Sequence, residues 1–389
     1  MGKTMIPYGR QTISDLDIQA VVDVLRSDML TQGPTVERFE RAVADYCGVR
    51  HAVAVNSGTS ALHCACMALG LGPGDYLWTA PNTFVASANC ALYCGASIDF
   101  VDIDPDTCNM SVELLERKLV AAKLLGKLPK IVIPVHFAGQ SCWMEEIAIL
   151  SKQYGFYIIE DACHAIGGNY KQTKVGSCTF SDITVFSFHP VKIITTGEGG
   201  MAVTNNDDLH QKLVWLHSHG ITRNSQYMVG QPHGSWYYQQ VALGYNYRMT
   251  DIQAALGLSQ LTKIDEFVQR RHYLADRYNC AFQGLPLVPV QQSAEIYSAY
   301  HLYVICLQLN KISKSHYQVF VELQDKGLNI NLHYIPVHTH PYYRTMGFRE
   351  GDFPNAETYY SKAISIPMFF GLTDENQEKV IDCIREALR

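Results

Sequence analysis

The chain has 389 residues, 47% of them hydrophobic, and a formal net charge of −6. That length and apolar content suit one large domain or two with ample core, and an acidic balance without a basic tail or Lys/Arg run argues against nucleic acid or an anionic membrane as partner. No apolar run is long enough to span a bilayer, Met1 to Gly9 lacks the apolar core of a secretory signal, and Ile6 stands where a myristoylation motif wants Ser or Thr.

In chain order, Ser14 is placed to cap a helix whose Ile18, Val21, Val22 and Leu25 form one stripe. Leu30-Thr31-Gln32-Gly33-Pro34 breaks it. A second helix carries Phe39, Val43 and Tyr46, with Gly48 at its C-terminal cap. Seven strand-like runs follow: Ala52–Val55, Tyr76–Thr79, Ile98–Val101, Ile131–Val135, Tyr157–Glu160, Ile183–Phe188 and Met201–Thr204. Helical patterns separate most of them, which predicts an α/β fold with a mostly parallel sheet covered by helices. Continuous apolar runs such as Ile131-Val132-Ile133 predict burial on both faces.

The pattern changes after about Leu209. Thr222 to Tyr247 is rich in Gly, Tyr, Gln and His and reads as a long functional loop, since Trp236, Tyr237 and Tyr238 are costly in a mere linker. A long helix is expected from about Thr250 to Cys280. Beyond it a smaller α+β region is expected, with strands at Leu302–Leu309 and Ile330–His333 and helices at Tyr317–Lys326 and Glu375–Leu388. The division predicted is a large domain over 1–260 and a small one over 261–389. Twelve cysteines are scattered with no C-x-x-C pair, and Cys64, Cys66, Cys90 and Cys94 fall in predicted helices as small packing residues. Reduced thiols in a cytosolic protein are expected, without structural zinc.

Lys192 carries the chemistry. It follows the apolar run Ile183, Val185, Phe186 and precedes the turn Thr195-Thr196-Gly197-Glu198-Gly199-Gly200. A lysine leaving a buried strand is partly desolvated, loses its proton readily and can attack a carbonyl. Asp161 closes Tyr157-Ile158-Ile159-Glu160 at the carboxyl end of a strand, the edge where open α/β sheets bind ligands. Asn56-Ser57-Gly58-Thr59-Ser60 follows a strand and opens a helix. Its first N–H groups, with the Thr59 and Ser60 hydroxyls, make an anion cup, and Ser187 adds a donor near Lys192. An amine, an acid for a pyridine nitrogen and phosphate donors are what pyridoxal phosphate needs. Taken singly, each has a plainer reading: Asp161 as a helix cap, Ser57-Gly58-Thr59 as an ordinary helix start. Phe84 either stacks on a flat ring or is core, and His164 either meets a ring hydroxyl or is structural. Glu198 either lies near the lysine or supports the turn. His333, His338 and His340 lack a carboxylate or cysteine at ligand spacing, so a substrate-contact loop is expected there and no metal.

Five segments in register resemble the DegT/DnrJ/EryC1/StrS sugar aminotransferases over essentially the whole chain. They begin at Asn56 (Asn-Ser-Gly-Thr-Ser-Ala-Leu), Pro81 (Pro-Asn-Thr-Phe-Val-Ala-Ser-Ala-Asn), Glu160 (Glu-Asp-Ala-Cys-His-Ala-Ile-Gly), Ser187 (Ser-Phe-His-Pro-Val-Lys) and Gly244 (Gly-Tyr-Asn-Tyr-Arg-Met-Thr-Asp). The openings Ile6-Pro-Tyr-Gly-Arg-Gln and Leu30-Thr-Gln-Gly-Pro look closest to one branch, the UDP-4-amino-4,6-dideoxy-N-acetyl-β-L-altrosamine transaminases of pseudaminic acid biosynthesis. The resemblance implies the fold-type I architecture of aspartate aminotransferase, pyridoxal 5'-phosphate as cofactor, and a homodimer with shared active sites. By matching position it makes Lys192 the Schiff-base lysine and pairs Asp161 with the pyridine nitrogen. It also stacks Phe84 on the ring, sets His164 by the ring hydroxyl, and puts Gly58, Thr59 and Ser187 on the phosphate. Asn246 then reaches the phosphate from the neighbouring subunit. Substrate contacts map to Tyr8, to Asp28, Met29, Leu30 and Thr31, and to Asn331, Leu332, His333 and Tyr334, with Gly58, Ser187 and Asn246 bordering both ligands.

Related sugar dehydratases carry histidine in place of the lysine, so Lys192 favours transamination from L-glutamate to the C4 keto group of a UDP-linked sugar. Two other readings remain open. One is another nucleotide-sugar aminotransferase, acting at C3 or on a dTDP or GDP sugar. The other is a cofactor-binding regulatory protein without turnover. Arg10 and Arg248 can each meet a diphosphate or a donor carboxylate.

Overall fold

The computed structural model describes residues 5–389. One seven-stranded sheet organises the chain: β1 (His51–Val55), β2 (Tyr76–Thr79), β3 (Ser97–Phe100), β4 (Ile131–Ile133), β5 (Tyr157–Asp161), β6 (Ile183–Ser187) and β7 (Gly200–Thr204). Across the sheet the order is β1-β7-β6-β5-β4-β2-β3. β7 runs antiparallel to both β1 and β6, and the pairs from β6 through to β3 are parallel. All seven expected runs are strands, within a few residues at their ends. Ile131, Val132 and Ile133 are fully buried, as helices on both faces require.

A second small sheet pairs Leu287–Pro289 and Ala363–Ile366 with Tyr303–Leu307. A separate apolar cluster joins Leu274, Ile305, Leu323 and Ile381 around it. The segment carrying Val337, Tyr343, Phe353 and Tyr359 instead packs into the core of the seven-stranded sheet.

Three expectations need correction, and the long loop is found as expected. The Ser14-capped helix exists over Asp15–Leu25, with a capping box to Asp17, but the stripe does not face the core. Ile18 is 53% and Leu25 54% exposed, while Asp17 and Val24 are buried. The inward face is polar because Asp17 accepts from Lys263 Nζ at 2.9 Å, Ser259 Oγ at 2.6 Å and Gln260 Nε2 at 2.8 Å. The single helix expected from Thr250 is two, Asp251–Leu261 and Ile264–Ala281. The chain leaves helical geometry at Lys263, whose ammonium reaches back to Ser14 and Asp17. Ile330–His333 is not a strand. Leu328–Asn329 pairs with Ile6–Pro7 instead, and Asn331 makes only an isolated bridge to Ser365. The 222–247 loop is irregular apart from a short hairpin, Ile221–Thr222 with Gln239–Gln240, and it exposes Val229, Trp236 and Leu243.

All twelve cysteines are free thiols. Among the described residues no helix is long and apolar enough to cross a membrane.

Burial opposes the charge on Asp17, but hydrogen bonds from Ser259, Lys263 and Ser14 outweigh it and hold the carboxyl down to about 2. A folded-state pKa below the unfolded one contributes stability that is present above about pH 4 and lost as pH falls toward 2. Asp17→Ala should therefore cost about 2 kcal/mol near neutrality by urea titration. The gap between variant and parent should close between about pH 4 and pH 2; a gap that stays constant over that range would refute this account.

Candidate active site

The carboxyl ends of the parallel strands open onto one cavity of about 960 Å³. β1 delivers Ser57 and Gly58, the turn after β2 delivers Thr83 and Phe84, β5 ends on Asp161, and β6 ends on Ser187 with Lys192 five residues on. Tyr8, Asn331, Leu332, His333 and Tyr334 close the cavity from the chain's two ends.

The loop between β6 and β7 is held by its own polar groups. Thr195 Oγ1 donates to Phe188 O at 2.8 Å, Thr196 Oγ1 to Glu198 O at 2.7 Å, and Gln253 Nε2 to the same carbonyl at 2.8 Å. Glu198 is exposed and supports the turn through its backbone. Burial lowers the Lys192 pKa, partly offset by the charges of Cys163 and Asp161.

The helix Gly58–Ala68 starts at the cavity, and the Ser57 side chain caps it by accepting from Ser60 N at 3.1 Å. Ser60 Oγ gives its proton to Asn56 Oδ1 at 2.6 Å, so Ser60 lines the cavity with its hydroxyl committed within the turn. The remaining anion donors are the first helical N–H groups, at Gly58 and Thr59, and the hydroxyls of Thr59 and Ser187. Glycine matters at two points. A Cβ on Gly58 would stand 3.0 Å from Ser187 Cβ, and one on Gly200 would stand 2.4 Å from Ser57 O. Gly200 pairs with Val55 on one side and Ser187 on the other, which sets the two halves of the cradle at one level.

Asp161 accepts from Ser87 Oγ at 2.6 Å and from Cys163 N at 3.1 Å. Behind it, Glu160 bonds His136 Nε2 at 2.8 Å on the other face of the sheet. Phe84 is 58% exposed, so it is not core. His164 Nε2 meets Tyr334 OH at 3.0 Å, and its buried Nδ1 has no partner. Burial first, then the Lys192 charge, pushes His164 well below the usual imidazole range; the same causes take His333 down to about 3.

Thirteen of the proposed site residues thus line one cavity: Tyr8, Gly58, Thr59, Ser60, Phe84, Asp161, His164, Ser187, Lys192, Asn331, Leu332, His333 and Tyr334. Asp28, Met29, Leu30, Thr31 and Asn246 do not. Asp28 and Met29 border a different hollow with Arg38 and Asp251. The Asn246 backbone lies behind Asn56, with its carbonyl 3.5 Å from Asn56 Nδ2. Arg248 bonds Ser218 Oγ at 3.1 Å, away from the cavity. His338 pairs with Glu357 and His333 with Ser365, so the histidines diverge. Sequence reasoning missed Thr83, Ser87 and His301. The first two lie within a motif already noted, whereas His301 has no local signal, since the distant Ala138–Gly139 backbone docks beside it.

A half-buried amine, a strand-end carboxylate and an anion cradle fit pyridoxal phosphate; the unpartnered His164 Nδ1 and the space kept by Gly58 agree with a ligand between them. Fold and site together define a fold-type I, pyridoxal-phosphate-dependent enzyme. Residues 11–385 match the profile of the DegT/DnrJ/EryC1/StrS aminotransferase family, and the chain belongs to it. It is 39% identical to the spore coat polysaccharide biosynthesis protein SpsC of Bacillus subtilis, over 99% of this chain and 97% of the relative. It is 37% identical to a Campylobacter jejuni UDP-4-amino-4,6-dideoxy-N-acetyl-β-L-altrosamine transaminase, over 93% and 92%. The structure of Helicobacter pylori PseC, an aminotransferase involved in the biosynthesis of pseudoaminic acid, superposes with a TM-score of 0.90 at 31% identity, covering 99% of each chain. The protein is a sugar aminotransferase.

Gly200→Ala should force β7 away from Ser57 and open the cradle. Pyridoxal phosphate affinity should fall by on the order of tenfold, read by titrating the visible absorbance of the bound cofactor. Unchanged affinity would mean that the close approach is not what shapes the cradle.

Proposed function

We propose that this chain moves an amino group from L-glutamate to C4 of a UDP-linked 4-keto-6-deoxy-N-acetyl hexose, on the route to pseudaminic acid. It acts in the cytoplasm as a homodimer with shared sites. The observation that carries the reading is Lys192, an amine of lowered pKa in one cavity wall with Asp161 and the Gly58–Thr59 cradle. The sugar rests on likeness. The Campylobacter relative's name places its amine at C4 of a 4,6-dideoxy N-acetyl sugar, and the structural neighbour serves pseudoaminic acid biosynthesis. Shared sites would give a use to Asp28–Thr31 and Asn246, which lie outside the chain's own cavity, and would cover the exposed Ile18, Leu25, Met29 and Leu30. The separate apolar cluster around Leu274 and Ile381 supports a small C-terminal domain within 261–389, with Ile264, Phe267 and the Val337–Tyr359 segment packing onto the large one.

Bound pyridoxal phosphate supplies a reactive carbonyl and an electron-withdrawing ring. The Gly58 and Thr59 amides and the Ser187 hydroxyl would hold its phosphate, Phe84 would pack against its ring, and Asp161 would keep a proton on the ring nitrogen. Lys192 Nζ, its pKa lowered by burial, would take the α-proton of glutamate in the first half and deliver a proton to sugar C4 in the second. His164 and His333, with pKa values pushed down by burial, are weak bases that do not compete for that proton.

The match to SpsC favours a second reading, in which the same chemistry serves another nucleotide sugar of a surface polysaccharide. Lys192→Ala should abolish turnover while leaving the phosphate cradle intact; a variant of full activity would remove Lys192 from the chemistry. A panel of UDP, dTDP and GDP 4-keto and 3-keto sugars, with products solved by NMR, separates the two readings. Preference for a UDP 4-keto N-acetyl sugar is the expected result, and preference for any other member supports the second.

A further inference from the structure

A short side-chain hydrogen bond to Asp161 comes from a residue with no assigned role. Ser87 Oγ donates to Asp161 Oδ2 at 2.6 Å, and Thr83 Oγ1 lies 2.8 Å from Ser87 Oγ. A hydroxyl has one proton. Ser87 spends its proton on Asp161, so Thr83 must be the donor to Ser87. The second carboxylate oxygen, Oδ1, takes the Cys163 backbone N–H at 3.1 Å. The relay therefore runs in one direction, Thr83 to Ser87 to Asp161, and both carboxylate oxygens are held from the protein side. Thr83, Ser87 and Asp161 are each no more than 5% exposed, yet all three line the cavity. Water cannot readily replace a bond lost there, which raises the cost of losing it.

The geometry fixes the plane of the carboxylate. With Oδ1 and Oδ2 each tied on the protein side, the group keeps its remaining lone pairs toward the cavity. The helix Ala86–Tyr93 places Ser87 in its first turn, and the bend before the helix brings Thr83 Oγ1 to 2.8 Å from Ser87 Oγ.

We propose that Ser87, with Thr83 behind it, is a positioning residue for transamination: its hydroxyl orients Asp161 toward the cofactor's ring nitrogen. This rests on the assignment of Asp161 to that nitrogen in the reading above. Losing one hydrogen bond to a charged group corresponds to roughly tenfold in rate.

The test compares Ser87→Ala, Ser87→Thr, Thr83→Val and Lys192→Ala in the full-length, cofactor-loaded protein, with thermal melts to confirm folding. Ser87→Ala should lower kcat about tenfold with KM for glutamate and sugar within about twofold. It should also move the pH midpoint of the bound cofactor's visible band, which a merely structural serine would not do. Ser87→Thr keeps the hydroxyl and should restore both. Thr83→Val should shift both in the same direction by less, and it carries the test if Ser87→Ala fails to fold. Parental kcat and parental spectral titration in Ser87→Ala, with Lys192→Ala inactive, would overturn this inference and leave the reading of the cavity standing. A Ser87→Thr variant as impaired as Ser87→Ala would overturn it too. An active Lys192→Ala would overturn the reading of the cavity and this inference with it.

Discussion

The site depends on one close approach of backbone to backbone. Gly200 opens β7 and pairs with Val55 of β1 and with Ser187 of β6. A side chain there would strike Ser57 O at 2.4 Å and Gly58 N at 2.6 Å. Because β7 is the one antiparallel strand, it returns from the loop carrying Lys192 and slots between β1 and β6. That return sets the helix start at Gly58, the Ser187 hydroxyl and the lysine loop around a common opening. A parallel β7 would begin at the opposite edge of the sheet and leave the cradle in two unrelated halves.

Charge is managed around that opening by exclusion rather than by pairing. His164 and His301 are driven far below the ordinary imidazole range by burial, and the Lys192 charge adds to the effect at both. Their rings lie 4.4 Å apart, and His333 on the opposite wall responds in the same way. Three neutral imidazoles add no further positive charge beside Lys192, whose own pKa burial lowers. Arg271 is the buried exception. Its Nη1 donates to the carbonyls of Tyr300, His301 and Met368, so its charge is spread over backbone dipoles and the left-handed Tyr300 is held in place.

The sheet was readable because its strands are short apolar runs set apart by helices, and burial on both faces leaves no ambiguity of period. Lys192, Asp161 and Gly58 were readable for a related reason: each stands where a strand ends, and strand ends of a parallel sheet converge. The first helix misled because its apolar residues look outward. Its inward face is paid for by Asp17 and Lys263, a pair 246 residues apart that no local pattern announces. The same pair broke the expected long helix at Lys263.

Local order and the edge on which the chemistry sits were therefore determined by the sequence alone, since periodicity and strand ends are properties of neighbours in the chain. Tertiary structure decided the rest. It placed Phe84 in the cavity wall rather than the core, committed the Ser60 hydroxyl to Asn56, and brought Ser87 onto Asp161 across 74 residues. It also kept Asn246 and Asp28–Thr31 out of the chain's own cavity. Each of these turns on which distant atom satisfies a buried hydrogen bond or fills a space, and only packing settles that.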